Sequence, residues 1–175
     1  MAKTDFEHPA VDQLSATPEI LRLMMAPVSD EQARWKPAPD RWSIAEILAH
    51  LSHVEAQYIR AGIELLTTQN NPTVEPYDQN AWDAAGAYAG REPEESFAHW
   101  EEQREDNIAF LEGLEESSLR RAGRHPELGR VTVSDYLNEW AHHDLGHVRQ
   151  IAELIRAQLY YPALGAFQSQ YKVNP

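Results

Sequence analysis

The chain has 175 residues, no cysteine, and 15 Lys and Arg against 28 Asp and Glu, for a formal charge of −13 with its eight histidines neutral. Zero cysteine excludes a catalytic thiol, a CxxC redox pair, thiolate metal ligands and any disulfide framework, and the acidic balance argues against a nucleic-acid partner. No apolar run approaches the roughly 18 to 20 residues of a membrane span, and Met1 to Phe6 lacks the apolar segment of a secretion signal, so a single cytoplasmic domain over residues 1–175 is expected.

The first predicted helix runs from about Val11 to Ala26, apolar at Val11, Leu14, Ile20, Leu21, Met24 and Met25, with an early interruption expected at Pro18. Lys36-Pro37-Ala38-Pro39-Asp40 predicts an extended connector. Ser43-Ile44-Ala45-Glu46 is a capping box, and Ile47, Leu51, Val54 and Tyr58 keep helical spacing from it to about Thr68, before Asn70-Asn71-Pro72 stops the helix. Residues 71–92 contain two prolines and two glycines and read as a long connection with a short helix near Asn80 to Tyr88. Pro93-Glu94-Glu95 opens a third long helix reaching about Leu114, and Arg120 to Arg130 reads as a loop. Thr132-Val133-Ser134-Asp135 caps a fourth helix extending to about Tyr160, and an irregular tail over 161–175 carries aromatics expected to pack back. Four long helices with no convincing strand pattern predict an all-α four-helix bundle with a long connection between its second and third helices.

Candidate chemistry lies where polar residues break an apolar stripe. On the fourth helix the inward positions are Val133, Tyr136, Leu137, Trp140, His143, His147, Ile151 and Leu154, which puts two histidines one turn apart on one face. His50 interrupts the corresponding stripe of the second helix. Three imidazoles directed into one interior suit zinc, nickel or ferrous iron and leave positions open for water. The structural alternative is a set of satisfied core histidines, but each buried imidazole then needs its own partner. His53, one turn from His50, is the substitute ligand on that helix. His142 is rotated by about 100° from His143 and belongs to another face. Glu46 and Glu139 lie one turn before His50 and His143, where each can orient an imidazole or act as a base, although Glu46 also reads as the cap. Asp144 is placed to bond outward to another helix.

Two rival motifs fail. His143-Asp144-Leu145-Gly146-His147 imitates HExxH with Asp in place of the general-base Glu. Glu139-Trp140-Ala141-His142 is an ExxH without the second ExxH that a di-iron bundle requires. Walker, GxGxxG and GxSxG motifs are absent.

Trp42 to Leu51 followed by Val54-Glu55 resembles the second-helix signature of the DinB-like superfamily, and His143-Asp144-x-x-His147-x-x-Gln150-Ile151 resembles its closing motif. Thr132-Val133-x-Asp135-Tyr136-Leu137 and the lead-in from Leu14 to Pro39 fit the same family. The resemblance implies a four-helix bundle, commonly a homodimer, holding a divalent metal on His50, His143 and His147. It also implies relatives that transfer or isomerise with low-molecular-weight thiols such as mycothiol and bacillithiol. A metal-dependent small-thiol S-transferase acting on a small molecule is therefore the first expectation. A metal-dependent hydrolase is the alternative, with Glu46, Glu139 or Asp144 as candidate catalytic groups, and a non-catalytic ligand- or partner-binding bundle is the third reading.

Overall fold

The computed structural model describes residues 6–173 and 175; the first five residues, on which the expectation of no secretion signal partly rests, lie outside them. Helix α1 spans Pro9–Met25 and is not interrupted by Pro18. Proline has no N–H to give the carbonyl four residues back, and here the Leu14 carbonyl accepts instead from Arg104 Nη1 at 2.9 Å. A foreign donor thus replaces the missing helical bond, and the helix continues. A short helix not expected from sequence, α2 (Asp30–Ala33), follows with its own capping box between Ser29 and Gln32. The proline-rich connector then bends through a turn, with the Arg41 N–H donating to the Ala38 carbonyl at 3.0 Å, and is not extended as expected.

The capping box at Ser43 forms as the sequence predicts: Ser43 Oγ accepts from the Glu46 N–H at 3.2 Å, and Glu46 accepts from the Ser43 N–H at 2.8 Å. The second long helix comprises α3 (Ile44–Val54), π-helical turns over Glu55–Arg60, and α4 (Ala61–Thr68). It approaches the last helix closely at Gly62, where an added Cβ would lie 2.7 Å from the Tyr136 ring. The long connection contains α5 (Gln79–Ala84), and α6 covers Pro93–Glu112. The expected loop at Arg120 to Arg130 is instead a hairpin of β1 (Ala122–His125) and β2 (Gly129–Thr132). Only four residues per strand, with small and basic side chains, conceal it from any alternation pattern. The start of the long connection pairs with it, the Val74 N–H donating to the Arg124 carbonyl at 2.9 Å. Helix α7 (Val133–Ile155) is capped by Thr132 and Asp135 and passes into π-helical turns to Tyr160. The tail forms short 3₁₀ turns; Tyr161 is half-buried, but Phe167 and Tyr171 are exposed, contrary to the expectation that tail aromatics pack back.

α1, α3 with α4, α6 and α7 form the four-helix bundle, with α1 against α6 and α7, and α3 against α6 and α7. Its apolar core falls into two clusters. One contains Leu14, Val54, Ile63, Leu111, Leu137 and Trp140; the other contains Leu21, Ile47, Leu51, Trp100, Ile151 and Leu154. Each of the four long helices passes from one cluster to the other, and at or beside each crossing the buried or half-buried residues are polar: Thr17, His50 and Glu55, Arg104 and Asn107, and His143, Asp144 and His147. A polar layer therefore crosses the bundle at one level, and the site is built there. No helix among the described residues is long and apolar enough to cross a membrane.

Candidate metal centre

His50 is fully buried on α3, and His143 and His147 stand one turn apart on α7. Their Nε2 atoms converge: His50 to His143 is 3.0 Å, His143 to His147 is 3.2 Å, and all three lie within 4.8 Å of one another. Three nitrogens that close cannot all be satisfied by ring protons, since each N···N contact accommodates one hydrogen. A single cation resolves the conflict, because tetrahedral ligands at about 2.05 Å from zinc stand roughly 3.3 Å apart. The donor set thus fits a first-row divalent ion.

The electrostatics favour the ligand form of the rings. Burial, reinforced by the neighbouring imidazoles, holds His50 down to about 2, and burial with His147 and Arg104 nearby holds His143 down to about 3. Burial also lowers His147, partly opposed by Gln150 and Asp144. All three are neutral at pH 7, with lone pairs available. His147 Nδ1 pairs with Gln150 Oε1 at 2.9 Å, an orienting bond of the kind metal-ligating histidines usually make. Nδ1 of His50 and of His143 are buried without a partner, a cost that coordination at Nε2 would offset.

Aromatic rings surround the cluster. Trp42 lies 4.8 Å from His50 and stacks at 17° to His147, and its Nε1 donates to Asp83 at 3.0 Å. Tyr88, fully buried, meets the His50 ring edge-on at 5.2 Å and shares a 2.6 Å hydroxyl contact with Tyr77. The long connection therefore supplies one wall of the site. A cleft of about 310 Å³ opens on the His50 and His143 side, lined by Val54, Tyr58, Tyr77, His125, Leu128 and Glu139 among others. The hairpin contributes His125, whose Nδ1 accepts from the N–H groups of Glu127 and Leu128 at 3.2 Å.

The other residues singled out from sequence separate clearly. Glu46 is occupied as the cap and pairs with Lys36 at 2.8 Å. His53, the substitute ligand, is outside the cluster and bonds Tyr77 through Nδ1 at 3.2 Å. His142 is exposed and takes no part. Glu139 reaches the cleft, and Asp144 reaches α6, where Arg104 grips it with bonds of 2.7 and 3.0 Å.

Sequence reasoning did not single out the rest of that network. Arg104 also donates to Glu55, which further accepts from Trp100 Nε1 and, at 3.0 Å, from Asn107 Nδ2. Burial raises the Glu55 carboxyl, opposed by Arg104. The available signal was spacing: Phe97, Trp100, Arg104 and Leu111 occupy one helical face, so an arginine stands in a core position.

Two helices presenting three neutral imidazoles to one point, within a bundle and under an aromatic wall, define a helical protein able to hold a single divalent cation. Residues 13–151 match the DinB superfamily, and the chain belongs to it. A protein of Oceanobacillus iheyensis is 26% identical over 149 residues, covering 83% of this chain and 84% of its own, and YfiT of Bacillus subtilis is 26% identical over 83% and 82%. Both bear names that infer a metal-dependent hydrolase. The solved structure of YfiT, described as a probable metal-dependent hydrolase with an unusual four-helix bundle topology, superposes with a TM-score of 0.71 over 85% of each chain at 24% identity. That likeness is one of fold.

Proposed function

We propose that the chain is a metal-dependent hydrolase of small molecules, with His50, His143 and His147 as the metal ligands. The observation that carries this reading is the convergence of three Nε2 atoms beside a cleft that also contains Glu139. A divalent cation held there supplies Lewis acidity and lowers the pKa of water. Glu139, one turn before His143 and lining the same cleft, is the carboxylate we assign to take a proton from a reacting group there. Val54 and Leu128 present apolar surface to the substrate, Tyr77 offers a hydroxyl, and Trp42 and Tyr88 exclude bulk water from the imidazoles.

Small-thiol S-transfer is the second reading, carried by the family resemblance; the absence of any cysteine in the chain is compatible with it, because the thiol would arrive as a cosubstrate. One experiment separates the two: metal-reloaded protein is assayed on a panel of esters and amides without thiol, and on epoxides and chloro-aromatics with bacillithiol, mycothiol or glutathione. Hydrolysis without thiol, reduced at least tenfold in Glu139→Gln at unchanged metal content, supports the first reading. Turnover only in the presence of a thiol overturns it in favour of the second.

A further inference from the structure

A separate cleft of about 520 Å³, sharing no lining residue with the first, is lined by Arg41, Gly146, Arg149, Gln150, Glu153, Arg156, Lys172 and Pro175. Four cationic side chains therefore line the cleft beside one acidic side chain, Glu153, on a chain whose formal charge is −13. They come from three separate segments: the turn before α3, the exposed face of α7 and its continuation, and the tail. Elsewhere the arginines divide: among the described residues the side chains of Arg91, Arg120 and Arg124 also make no ion pair or hydrogen bond, and the others are engaged. Arg22, Arg34, Arg60 and Arg104 are paired with carboxylates, and Arg121 bonds two carbonyls. In the cleft, Arg156 pairs with Glu153, while among the described residues the side chains of Arg41, Arg149 and Lys172 make neither ion pair nor hydrogen bond.

Like charges gathered in one concavity repel one another and raise the local potential. Of the four, only Arg156 is paired with a carboxylate of the chain. Guanidinium groups take carboxylate or phosphate oxygens in pairs, and several around one cleft favour a ligand with more than one anionic group. We propose that this cleft binds a small multivalent anion through its carboxylate or phosphate groups. The location gives the site a purpose. Gln150 lines the cleft and also holds His147 Nδ1, and Gly146, immediately before His147, leaves open space where a side chain would project. An anion bound here lies beside the proposed metal ligands, so the cleft would select substrates bearing an anionic end. That last step rests on the functional reading above; binding itself does not.

Binding is measured by calorimetric titration of chelator-treated protein at low ionic strength with tricarballylate, pyrophosphate and acetate, so that failure of the metal reading leaves the test intact. Saturable binding of at least one multivalent probe is expected, with acetate weaker by at least about tenfold, and the tighter of the two multivalent probes identifies the preferred acceptor group. Arg149→Gln should weaken that binding by about tenfold or more, the loss expected for one charged hydrogen-bond partner. Arg124→Gln removes an exposed cation outside the cleft and should leave affinity unchanged. Absence of saturable binding by either multivalent probe overturns the proposal, as does an equal loss of affinity in Arg149→Gln and Arg124→Gln.

Discussion

Replacing Arg104 with Met tests how the polar layer is held together. Arg104 is 1% exposed and bonds Asp144 through two contacts, Glu55 through two more, and the Leu14 carbonyl. Methionine fills similar volume but leaves Glu55 and Asp144, 0% and 1% exposed, without their cation. Removing one partner of a buried ionic set costs about 3–5 kcal/mol, a large part of the roughly 5–15 kcal/mol that stabilises a typical domain. At about 2–4 °C per kcal/mol for a chain of this size, the midpoint should fall by roughly 6–20 °C. Urea denaturation at pH 7, with an unchanged m-value, is the assay. A second variant isolates the bond to Leu14. Pro18→Ala restores the N–H that the Leu14 carbonyl lacks, so it should be more favourable in the Arg104→Met background than in the wild type by about 1 kcal/mol. A loss below about 1 kcal/mol in Arg104→Met would refute the claim that this arginine neutralises the layer.

Chelator-treated protein should lose stability in mild acid. His50, held at about 2 in the fold against an ordinary 6.5, takes up a proton near pH 5 only when unfolded, so protons favour the unfolded chain and stability falls as pH drops below about 6.5. From pH 7 to 5 His50 alone contributes a loss of about 2 kcal/mol, measurable by urea midpoints at the two pH values; an unchanged midpoint would contradict the buried neutral imidazole. Gly62→Ala should cost about 1–3 kcal/mol by overpacking, because its methyl would meet the Tyr136 ring at 2.7 Å; a thermal midpoint equal to wild type would show that the ring yields freely. Gln150→Ala should weaken metal affinity by about tenfold through loss of its bond to His147, read by competition with a chromophoric chelator, and unchanged affinity would remove Gln150 from that role.

What sequence could reveal depended on how local the signal was. Capping boxes at Ser43 and Thr132 and stripes of period 3.6 are properties of neighbouring residues, so the long helices and the inward positions of His50, His143 and His147 were legible. The continuity of α1 through Pro18 was not, because its cause is Arg104, ninety residues away in the chain. The hairpin at Ala122 to Thr132 is too short for alternation to register, and it owes part of its pairing to residues near Pro72 and Val74. Spacing sets Arg104 at a core position of its helix, but its pairing with Glu55 depends on how α3 and α6 pack and has no local signal. Likewise the aromatic wall depends on where residues 71–92 travel, and no spacing rule brings Tyr77 and Tyr88 to His50.

Whether three imidazoles from two helices hold one divalent ion is read most directly by metal analysis. Untagged protein and its His147→Ala variant, both shown to be helical by circular dichroism, are incubated with zinc, nickel and ferrous iron in turn, desalted and analysed by plasma mass spectrometry. Near-stoichiometric retention of at least one ion by the wild type is expected, with a sharp fall in the variant. Wild-type protein that retains no ion, or a variant that retains as much as the wild type, would contradict it.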